Sequence, residues 1–304
     1  MSHLPSSSRR VPSLMSVGLI AIALGHPSTV TAAPITFNTA LPVAEGEFVF
    51  RQQLRWLRSG DDPSGLDREM EAFAAISVLG YGVNSKLALF GVQPWTDKSL
   101  ELTVDGSAIE RNNQGLGDFT AFARYTLWQK DALGRTFRLA GFGGLTAPTG
   151  EDDTSGRFGR LPPPLQNGSG AWDGFGGLVA TWQTLDYQLD GQISYRANEF
   201  EVGDETRLDL SWQQRLWPRE LEGGVPGFLY GVLEFNWLYQ DKHRVDGQRD
   251  DDSGGDTLWL SPGVQYVTKR WVLEAVAQKP VTQNLNGTAF ENDWIATTSF
   301  RMNF

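Results

Sequence analysis

Histidine, cysteine and clustered acidic residues are the side chains of this sequence that could most readily do chemistry. The 304-residue chain has no cysteine and three histidines, two of which, His3 and His26, lie in the first 32 residues. His243 is therefore alone in the rest of the chain, in the acidic segment QDKHRVDGQRDDDSGGD. A single histidine cannot build cysteine–histidine catalysis or a zinc site with several histidines. We expect a protein that is not an enzyme.

The acidic residues around His243 could bind calcium. Asp250, Asp251, Asp252 and Asp256 do not have the D-x-[DN]-x-[DN]-G spacing with a terminal glutamate of an EF-hand loop. A solvated acidic loop is therefore the better interpretation, and it applies equally to the acidic run that starts at Glu151. We predict no bound metal.

Three glycine clusters, GLGDFT, GFGGLT and GFGGLV, resemble loops that bind nucleotide phosphates. None completes the G-x-G-x-x-G pattern, because Thr120, Thr146 and Val179 occupy the third glycine position and no helix follows. Glycine inside a strand instead permits curvature or a close approach. The net charge of −10 also argues against nucleic-acid binding, since cations are needed to neutralise phosphates. Neither a cofactor nor a nucleic acid is predicted.

The amino terminus has the pattern of an export signal. Arg9 and Arg10 precede the apolar stretch SLMSVGLIAIALG, which is too short for a membrane anchor. Val30 and Ala32 then occupy the −3 and −1 positions of a cleavage site. The sequence therefore predicts a cleaved signal peptide at residues 1–32 and a single domain at residues 33–304.

The rest of the chain alternates apolar and polar residues with a period of two, which is typical of half-exposed β-strands. In LDYQLDGQISYR, apolar residues from Leu185 share one face and polar residues from Asp186 share the other. Twelve strands are predicted, at 46–58, 68–80, 84–93, 116–128, 135–146, 171–183, 185–197, 205–216, 227–240, 256–268, 270–280 and 293–304.

The links between these strands alternate between short and long, as in the barrels of bacterial outer membranes. Long links occupy 94–115, 147–170, 241–255 and 281–292, and only the link at 217–227 is longer than its place in the alternation predicts. Tryptophans lie near both ends of the strands in the apolar phase, which indicates two aromatic belts. We therefore predict an all-β, antiparallel up-and-down transmembrane barrel of about 12 strands, with both termini in the periplasm. A soluble periplasmic sandwich is the alternative fold.

In a barrel the apolar face meets lipid and the polar face lines the lumen. Both signs of charge occur in the polar phase and can pair across strands. The predicted lumen residues are Arg51, Arg55, Glu71, Arg124, Arg138, Asp186, Asp190, Arg196, Arg207, Asp209, Arg215, Glu234, Glu274 and Arg301, with the aromatic residues Phe73, Tyr81, Phe122, Phe142, Phe175 and Trp259. The aromatic side chains could contact a small, partly apolar molecule or fill the interior.

The chain ends in the alternating segment WIATTSFRMNF, residues 294–304. A last strand that closes the barrel against the first leaves no edge in lipid. A final aromatic residue, here Phe304, also resembles the signal that the barrel-assembly machinery reads in outer-membrane proteins.

Two segments carry a resemblance to a known family. GLGDFTAFARYTLWQ, with Gly115, Gly117, Asp118, Arg124 and Tyr125, and GFGGLTAPTGEDD, with Pro148, Thr149 and Gly150, occur in the order found in that family. The chain resembles the outer-membrane β-barrels that are putative transporters of the MetA pathway of phenol degradation. The resemblance implies passage of aromatic or other small hydrophobic compounds, and it transfers no catalytic or ligand-binding residue. Asp118 and Arg124 are equally compatible with structural roles, at a strand start and in a lumen ion pair.

The sequence thus predicts passive passage of small molecules through a charged lumen that contains aromatic side chains, in a barrel surrounded by outer-membrane lipid and lipopolysaccharide. The link at 147–170 could fold inward as a gate, and acidic outer loops could gather divalent cations beside lipopolysaccharide. A structural or surface-interaction barrel with a filled lumen is the alternative, and a barrel hydrolase is disfavoured by the histidine count.

Overall fold

Twelve antiparallel strands form a closed barrel. The computed structural model describes residues 31–199, 202–220, 224–245 and 247–304. Its elements are β1 (Phe48–Ser59), β2 (Glu69–Gly82), β3 (Leu87–Val104), β4 (Ser107–Leu116), β5 (Phe119–Ala132), β6 (Arg135–Ala147), β7 (Ser155–Gly156), β8 (Gly159–Arg160), the 3-10 helix η1 (Pro163–Leu165), β9 (Asp173–Thr184), β10 (Tyr187–Ala197), β11 (Glu205–Trp217), β12 (Phe228–Gln240), β13 (Arg244–Val245), β14 (Gln248–Arg249), β15 (Gly255–Val267), β16 (Trp271–Leu285) and β17 (Trp294–Asn303). Within these ranges, no helix is long and apolar enough to cross a membrane.

Neighbouring strands pair in chain order around the ring, and β1 pairs with both β2 and β17. β4 and β5 act as one barrel strand that is interrupted at Gly117 and Asp118. The pairs β7–β8 and β13–β14 are small hairpins within loops. The predicted twelve-stranded barrel is therefore confirmed.

The seam between the first and last strands is closed along its whole length. β1 and β17 are in register from Val49 opposite Asn303 to Arg58 opposite Trp294. Beyond that register, the Phe48 N–H donates to the Phe304 carbonyl (2.8 Å) and the Phe304 N–H donates to the Phe48 carbonyl (3.0 Å). The terminal residue is thus held by a reciprocal pair of backbone hydrogen bonds, so no strand edge remains open at the seam.

The two ends of the barrel differ in their links. One end, called the turn end below, has the short links 83–86, 133–134, 185–186 and 268–270, together with the longer link 218–227. The other end, called the loop end, has the links 60–68, 148–172, 198–204, 241–254 and 286–293. β1 begins and β17 ends at the turn end, as an even number of strands requires.

The two faces of the wall follow the alternation of the sequence. Leu189 and Leu210 point outward and are 46% and 51% exposed, whereas the neighbouring Gln188 and Ser211 point inward and are 1% and 4% exposed. Apolar side chains therefore cover the outside of the barrel, and polar side chains are buried inside it.

One predicted link is a hairpin instead. The third strand is predicted to end at residue 93, but β3 continues to Val104, and the chain returns as β4. The turn between them is Asp105–Gly106, with φ of +51° and +74°, values that suit the two-residue turns of β-hairpins. Pro94 lies inside β3, opposite Ile76, although a proline cannot donate a hydrogen bond to the sheet.

Candidate functional site

The chain that precedes β1 lies inside the barrel. Residues 31–43, called the plug segment below, make hydrogen bonds to side chains on β1, β5, β9, β10, β12, β15 and β17. Partners on strands all around the ring are possible only if the segment occupies the lumen. The plug segment was not predicted as a separate element, because residues 33–304 were assigned to one barrel domain.

Glu234 on β12 is the centre of one group of these hydrogen bonds. Its carboxylate accepts from the backbone N–H of Ile35 (2.7 Å) and of Thr36 (3.2 Å), and from the Thr36 hydroxyl (2.5 Å). Ser211 on β11 donates to the same carboxylate (3.2 Å). Glu234 is fully buried, and four donors instead of a cation satisfy the hydrogen-bonding capacity of its carboxyl oxygens.

Glu274 on β16 organises a second group, at the β1 side of the plug segment. It forms an ion pair with Arg51, which also donates to the Ile35 carbonyl (2.7 Å). Gln265 donates to Glu274 (2.8 Å) and to the Ala33 carbonyl (2.5 Å). The same side chains therefore stabilise the wall and hold the plug segment against it.

Asp190 on β10 is the centre of a third group of hydrogen bonds, on the wall across the lumen from Glu274. It accepts from Thr181, Gln188 (2.7 Å) and Gln213 (3.2 Å), and Thr39 of the plug segment donates to it (3.2 Å). The Ala40 N–H donates to the Thr181 hydroxyl (2.9 Å). The polar face of the turn half is thus a connected network in which most groups have partners.

The plug segment also supplies the apolar core of the molecule. Ala32 packs with Val267 and Val272 near the turn end, and Ile35 packs with Val232 and Val276. Farther along, Ala40 packs with Ala140, Phe142 and Val179. The segment rises from the turn end to about residue 38 and then returns to β1, so it fills only the turn half of the lumen.

A cavity of about 540 Å³ lies above the plug segment, in the loop half of the lumen. Its floor is formed by Thr36, Phe37 and Asn38, and its walls include Phe142 and Phe175, whose ring centroids are 6.5 Å apart. A second cavity of about 320 Å³ lies between the plug segment and the wall around Phe90 and Phe122. Volumes of about 300–1,000 Å³ are typical of small-molecule sites.

Two glycines of the predicted clusters make room for the aromatic rings in the lumen. A Cβ at Gly144 would lie 2.4 Å from the Cβ of Phe122, and one at Gly177 would lie 2.7 Å from the Phe142 ring. These two glycines let aromatic side chains approach the backbone closely, as predicted for glycine inside a strand.

The wall register places most of the predicted lumen residues on the inward face. These are Arg51, Arg55, Phe122, Arg124, Arg138, Phe142, Phe175, Asp190, Arg196, Arg207, Asp209, Arg215, Glu234, Trp259, Glu274 and Arg301. They divide between the two halves: Glu234, Glu274, Asp190, Arg124 and Arg301 contact the plug segment or its network, whereas Arg196, Arg207, Asp209, Phe142 and Trp259 line the cavity.

Three lumen assignments on β2 are wrong. Phe73 stands opposite Trp56 on the outward face, with ring centroids 5.2 Å apart, and Glu71 and Tyr81 share that face. Both faces of β2 are largely apolar in EMEAFAAISVLGYG, so the alternation did not determine which face points inward. Asp186 lies in the exposed turn between β9 and β10, where it forms an ion pair with Arg215 (2.5 Å).

Several family-motif residues are joined by hydrogen bonds where β4 and β5 meet. Asp118 accepts from the backbone N–H of Gly150 (2.8 Å) and of Ser169 (2.7 Å), and the Thr149 hydroxyl accepts from the Phe119 N–H (2.8 Å). The Gly117 N–H donates to the Pro94 carbonyl (3.0 Å). Asp118 therefore ties the start of β5 to the loop that begins at Pro148, which is a structural role.

Three other motif residues have different surroundings. Arg124 donates to the Leu41 carbonyl of the plug segment (2.6 Å) and lies over the Phe90 ring, 4.9 Å from its centroid. In the part of the chain that the structure describes, no carboxylate pairs with Arg124, so the expected lumen ion pair is not formed. Tyr125 points outward and is 46% exposed, and Gly115 lies against Asn167.

The link after β6 packs against the inward side of the β3–β4 hairpin. Asn113 donates to the Leu165 carbonyl (3.0 Å), Lys98 to the Gln166 carbonyl (2.5 Å), and Thr96 to the Asn167 side chain (2.9 Å). Leu165 is fully buried there. Residues 165–167 of this link are thus held against the hairpin, and a gating role for the link stays a prediction.

His243 joins two links of the loop end. Its Nδ1 accepts from the Gly203 N–H (3.0 Å), and its own backbone N–H donates to the Ser253 hydroxyl (2.8 Å). Burial lowers the pKa of His243, although the acidic groups of Asp250 and Glu205 oppose that shift. Among the described residues, no three His, Asp or Glu side chains are grouped closely enough to hold a metal ion.

Comparisons with known proteins agree with this architecture. The model of a family described as “Putative MetA-pathway of phenol degradation” matches residues 48–293. The COG4313 outer membrane channel from Pseudomonas putida F1 matches with a TM-score of 0.65 and 14% sequence identity, over 90% of this chain and 100% of that chain. The beta domain of the Bordetella autotransporter BrkA matches with a TM-score of 0.44 and 14% identity, over 86% of this chain and 100% of that chain. A comparison with curated protein sequences gives no match.

Proposed function

We propose that this chain, which belongs to the family described as “Putative MetA-pathway of phenol degradation”, is a passive outer-membrane channel for small hydrophobic molecules, aromatic ones included. The observation that carries the proposal is the cavity in the loop half of the lumen, which contains aromatic side chains and has the volume of a small-molecule site. A barrel that served only as a scaffold would have no need of such a cavity.

The proposed orientation places the loop end outside the cell and the turn end in the periplasm. The alternation of long loops and short turns supports it, because outer-membrane barrels have short periplasmic turns. The outward apolar face would meet membrane lipid, and the loops would lie beside lipopolysaccharide. Export by the signal peptide at residues 1–32, whose removal would leave the plug segment from Ala33 onward, and insertion through the strand that ends at Phe304 complete the proposal. Of the predicted signal peptide, residues 1–30 lie outside the described part of the chain.

In this mechanism a solute enters from the loop end and is held in the cavity above Phe37. The plug segment closes the turn half below that point, so passage requires the plug segment to shift away from part of the wall. The hydrogen bonds at Glu234 and Asp190 are then the contacts that must open. We expect the unmodified protein to pass few ions at rest.

The uptake of 1-N-phenylnaphthylamine tests the proposal, because this hydrophobic probe fluoresces in membranes and is largely kept out by lipopolysaccharide. Cells of a Gram-negative host that produce the protein should take up the probe faster than cells with an empty vector. The hydrolysis of a hydrophilic β-lactam by a periplasmic β-lactamase controls for general leakiness. Equal probe uptake in both strains would refute the proposal.

The plug segment favours a second function, that of a structural or surface-interaction barrel with a closed lumen. Its many hydrogen bonds to the wall are the specific observation for this alternative. The same uptake assay distinguishes the two functions. A structural barrel would leave probe uptake unchanged even when Glu234→Ala weakens the plug segment, whereas a channel would pass the probe faster in that variant.

A further inference from the structure

We infer that the cavity in the loop half binds a small amphiphile whose polar end is a carboxylate and whose body is apolar or aromatic. This inference rests on the proposed function, since it names the chemical class of the solute. Hydrogen-bond donors without partners on one wall of the cavity, and apolar side chains on the other, lead to it.

Arg55 on β1 is the central donor. Its side chain borders the cavity, its Nε is buried, and it has no hydrogen bond or ion pair with any described residue. A buried guanidinium without a partner is costly, because its lost hydration is not replaced. A planar guanidinium binds a carboxylate through two parallel hydrogen bonds, so a carboxylate would satisfy Arg55.

Trp259 on β15 provides a second donor. Its indole Nε1 is buried without a partner, and the side chain lines the same cavity. Indole nitrogen only donates hydrogen bonds, so its complement in a ligand is an acceptor. Only β17 and β16 separate β1 from β15 in the ring, which places both donors on one wall.

The charges around the cavity also favour an anion. Its lining has four cations, Arg55, Lys98, Arg196 and Arg207, and two acids, Glu205 and Asp209. Arg207 pairs with Glu205 (3.0 Å), and Asp209 accepts hydrogen bonds from Gln192 (3.1 Å) and Asn236 (2.9 Å). The cations therefore exceed the acids, and Arg55 has no acid.

The opposite wall suits the rest of such a molecule. Phe142 on β6 and Phe175 on β9 face the cavity there, and Phe37 of the plug segment forms an apolar floor. A ligand with an apolar body and one negative charge could bury the body against these rings while its carboxylate met Arg55. A neutral hydrocarbon would leave Arg55 and Trp259 without partners, and a site built in this way discriminates against it.

Isothermal titration of the purified full-length barrel, in a non-ionic detergent, tests this inference with three matched probes. They are 4-phenylbutyrate, 4-phenylbutan-1-ol and 4-phenylbutylamine, which share one apolar body and differ in the polar end. We expect the carboxylate to bind about 10- to 100-fold more tightly than the alcohol, the range expected when a hydrogen bond to a charged group replaces a neutral one. The amine should bind most weakly. Equal affinities for acid and alcohol, or no binding of the acid, would overturn the inference.

Variants locate the site. Arg55→Gln should abolish the preference for the carboxylate, and Arg55→Lys should retain part of it. Arg135→Gln, which removes an exposed cation at the turn end, should leave the preference intact. Heat-modifiable electrophoretic mobility checks that each variant is folded. A preference that survives in folded Arg55→Gln would contradict the assignment.

Failure of this inference is distinguishable from failure of the proposed function. Binding of the acid without faster uptake of 1-N-phenylnaphthylamine would support the site and refute the channel. Faster uptake with equal binding of acid and alcohol would support the channel and refute the site.

Discussion

The two halves of the lumen have the same kind of wall and different interiors. In the turn half, the carboxyl groups of Glu234, Glu274 and Asp190 accept several hydrogen bonds each, and the plug segment occupies the lumen and leaves a smaller cavity of about 320 Å³ beside it. In the loop half, the same alternation of polar residues surrounds a cavity in which Arg55 has no partner among the described residues. A polar inward face is therefore compatible with either a stabilising network or a binding site. The inward face forms a stabilising network where the chain itself supplies hydrogen-bond or ion-pair partners for its polar side chains, and it forms a binding site where the chain does not.

Arg51 and Arg55 give the most direct test of this difference, because they lie four residues apart on the same face of β1. Arg51 pairs with the buried Glu274 and binds the Ile35 carbonyl, whereas Arg55 has neither kind of partner among the residues that the structure describes. Arg51→Gln should cost about 3–5 kcal/mol of unfolding free energy, as expected when one member of a buried ion pair is removed. Arg55→Gln should be neutral or slightly stabilising. Urea unfolding of both variants in lipid vesicles measures this, and equal costs would remove the distinction between the two halves.

Glu234→Ala tests the plug segment itself. It leaves the donors of Ile35, Thr36 and Ser211 without their shared acceptor, and it should cost roughly 2–4 kcal/mol. The backbone amides of Ile35 and Thr36 should exchange with deuterium faster, and the ion conductance in planar bilayers should rise. Glu71→Ala, which removes an acid from the outward face, is the matched control and should change neither quantity. Unchanged exchange at Ile35 would show that Glu234 does not hold the plug segment.

Ser211→Asn and Ser194→Asn make the same change in the two halves. Ser211 is 4% exposed and donates to Glu234, so a larger side chain there should cost about 1–3 kcal/mol by overpacking. Ser194 borders the cavity, where an asparagine has room, and the cost should be close to zero. The temperature at which each variant loses its folded electrophoretic mobility gives the comparison. An effect of equal size at both sites would argue that the cavity is not empty.

Acid should loosen the loop end around His243. Burial lowers the pKa of His243, so the folded protein favours the neutral imidazole that accepts from Gly203. The stability that this contact contributes is complete above the ordinary pKa of 6.5 and is lost as the pH falls through the lower, folded pKa. Nuclear magnetic resonance of the imidazole should show a midpoint below 6.5, followed by a change at the Gly203 amide. A midpoint above 6.5 would contradict the burial argument.

The barrel wall could be predicted from the sequence because most strands alternate apolar and polar residues over about ten residues. LDYQLDGQISYR, predicted as part of strand 185–197, forms β10 from Tyr187 to Ala197. The phase of β2 could not be determined, since Ala72, Ala74 and Ile76 make its inward face as apolar as the outward one. That ambiguity placed Glu71 and Phe73 in the lumen. The β3–β4 hairpin did have a signal, the dipeptide Asp105–Gly106, which lies within the predicted link 94–115.

The plug segment could not be predicted from periodicity, because it has no regular secondary structure. Its composition contains a weak signal. In APITFNTALPVAEG, Ile35, Leu41 and Val43 are apolar residues that belong to no strand, and exported chains seldom leave such residues in solvent. The network around Glu234 could not be foreseen either, since each acceptor is matched to a donor about 200 positions earlier in the chain. Such pairs are created by the closure of the barrel.

The covalent link between the plug segment and β1 has a further consequence. Residues 44–47 connect the two, and they are held by backbone hydrogen bonds such as that from the Gly46 N–H to the Gly82 carbonyl (2.8 Å). A short link of this kind gives the plug segment an effective concentration on the order of millimolar at its own binding surface. A plug segment that leaves the wall would therefore return in a unimolecular step, whatever the amount of protein in the membrane. A free peptide of the same sequence would compete with it only at comparable, millimolar concentration.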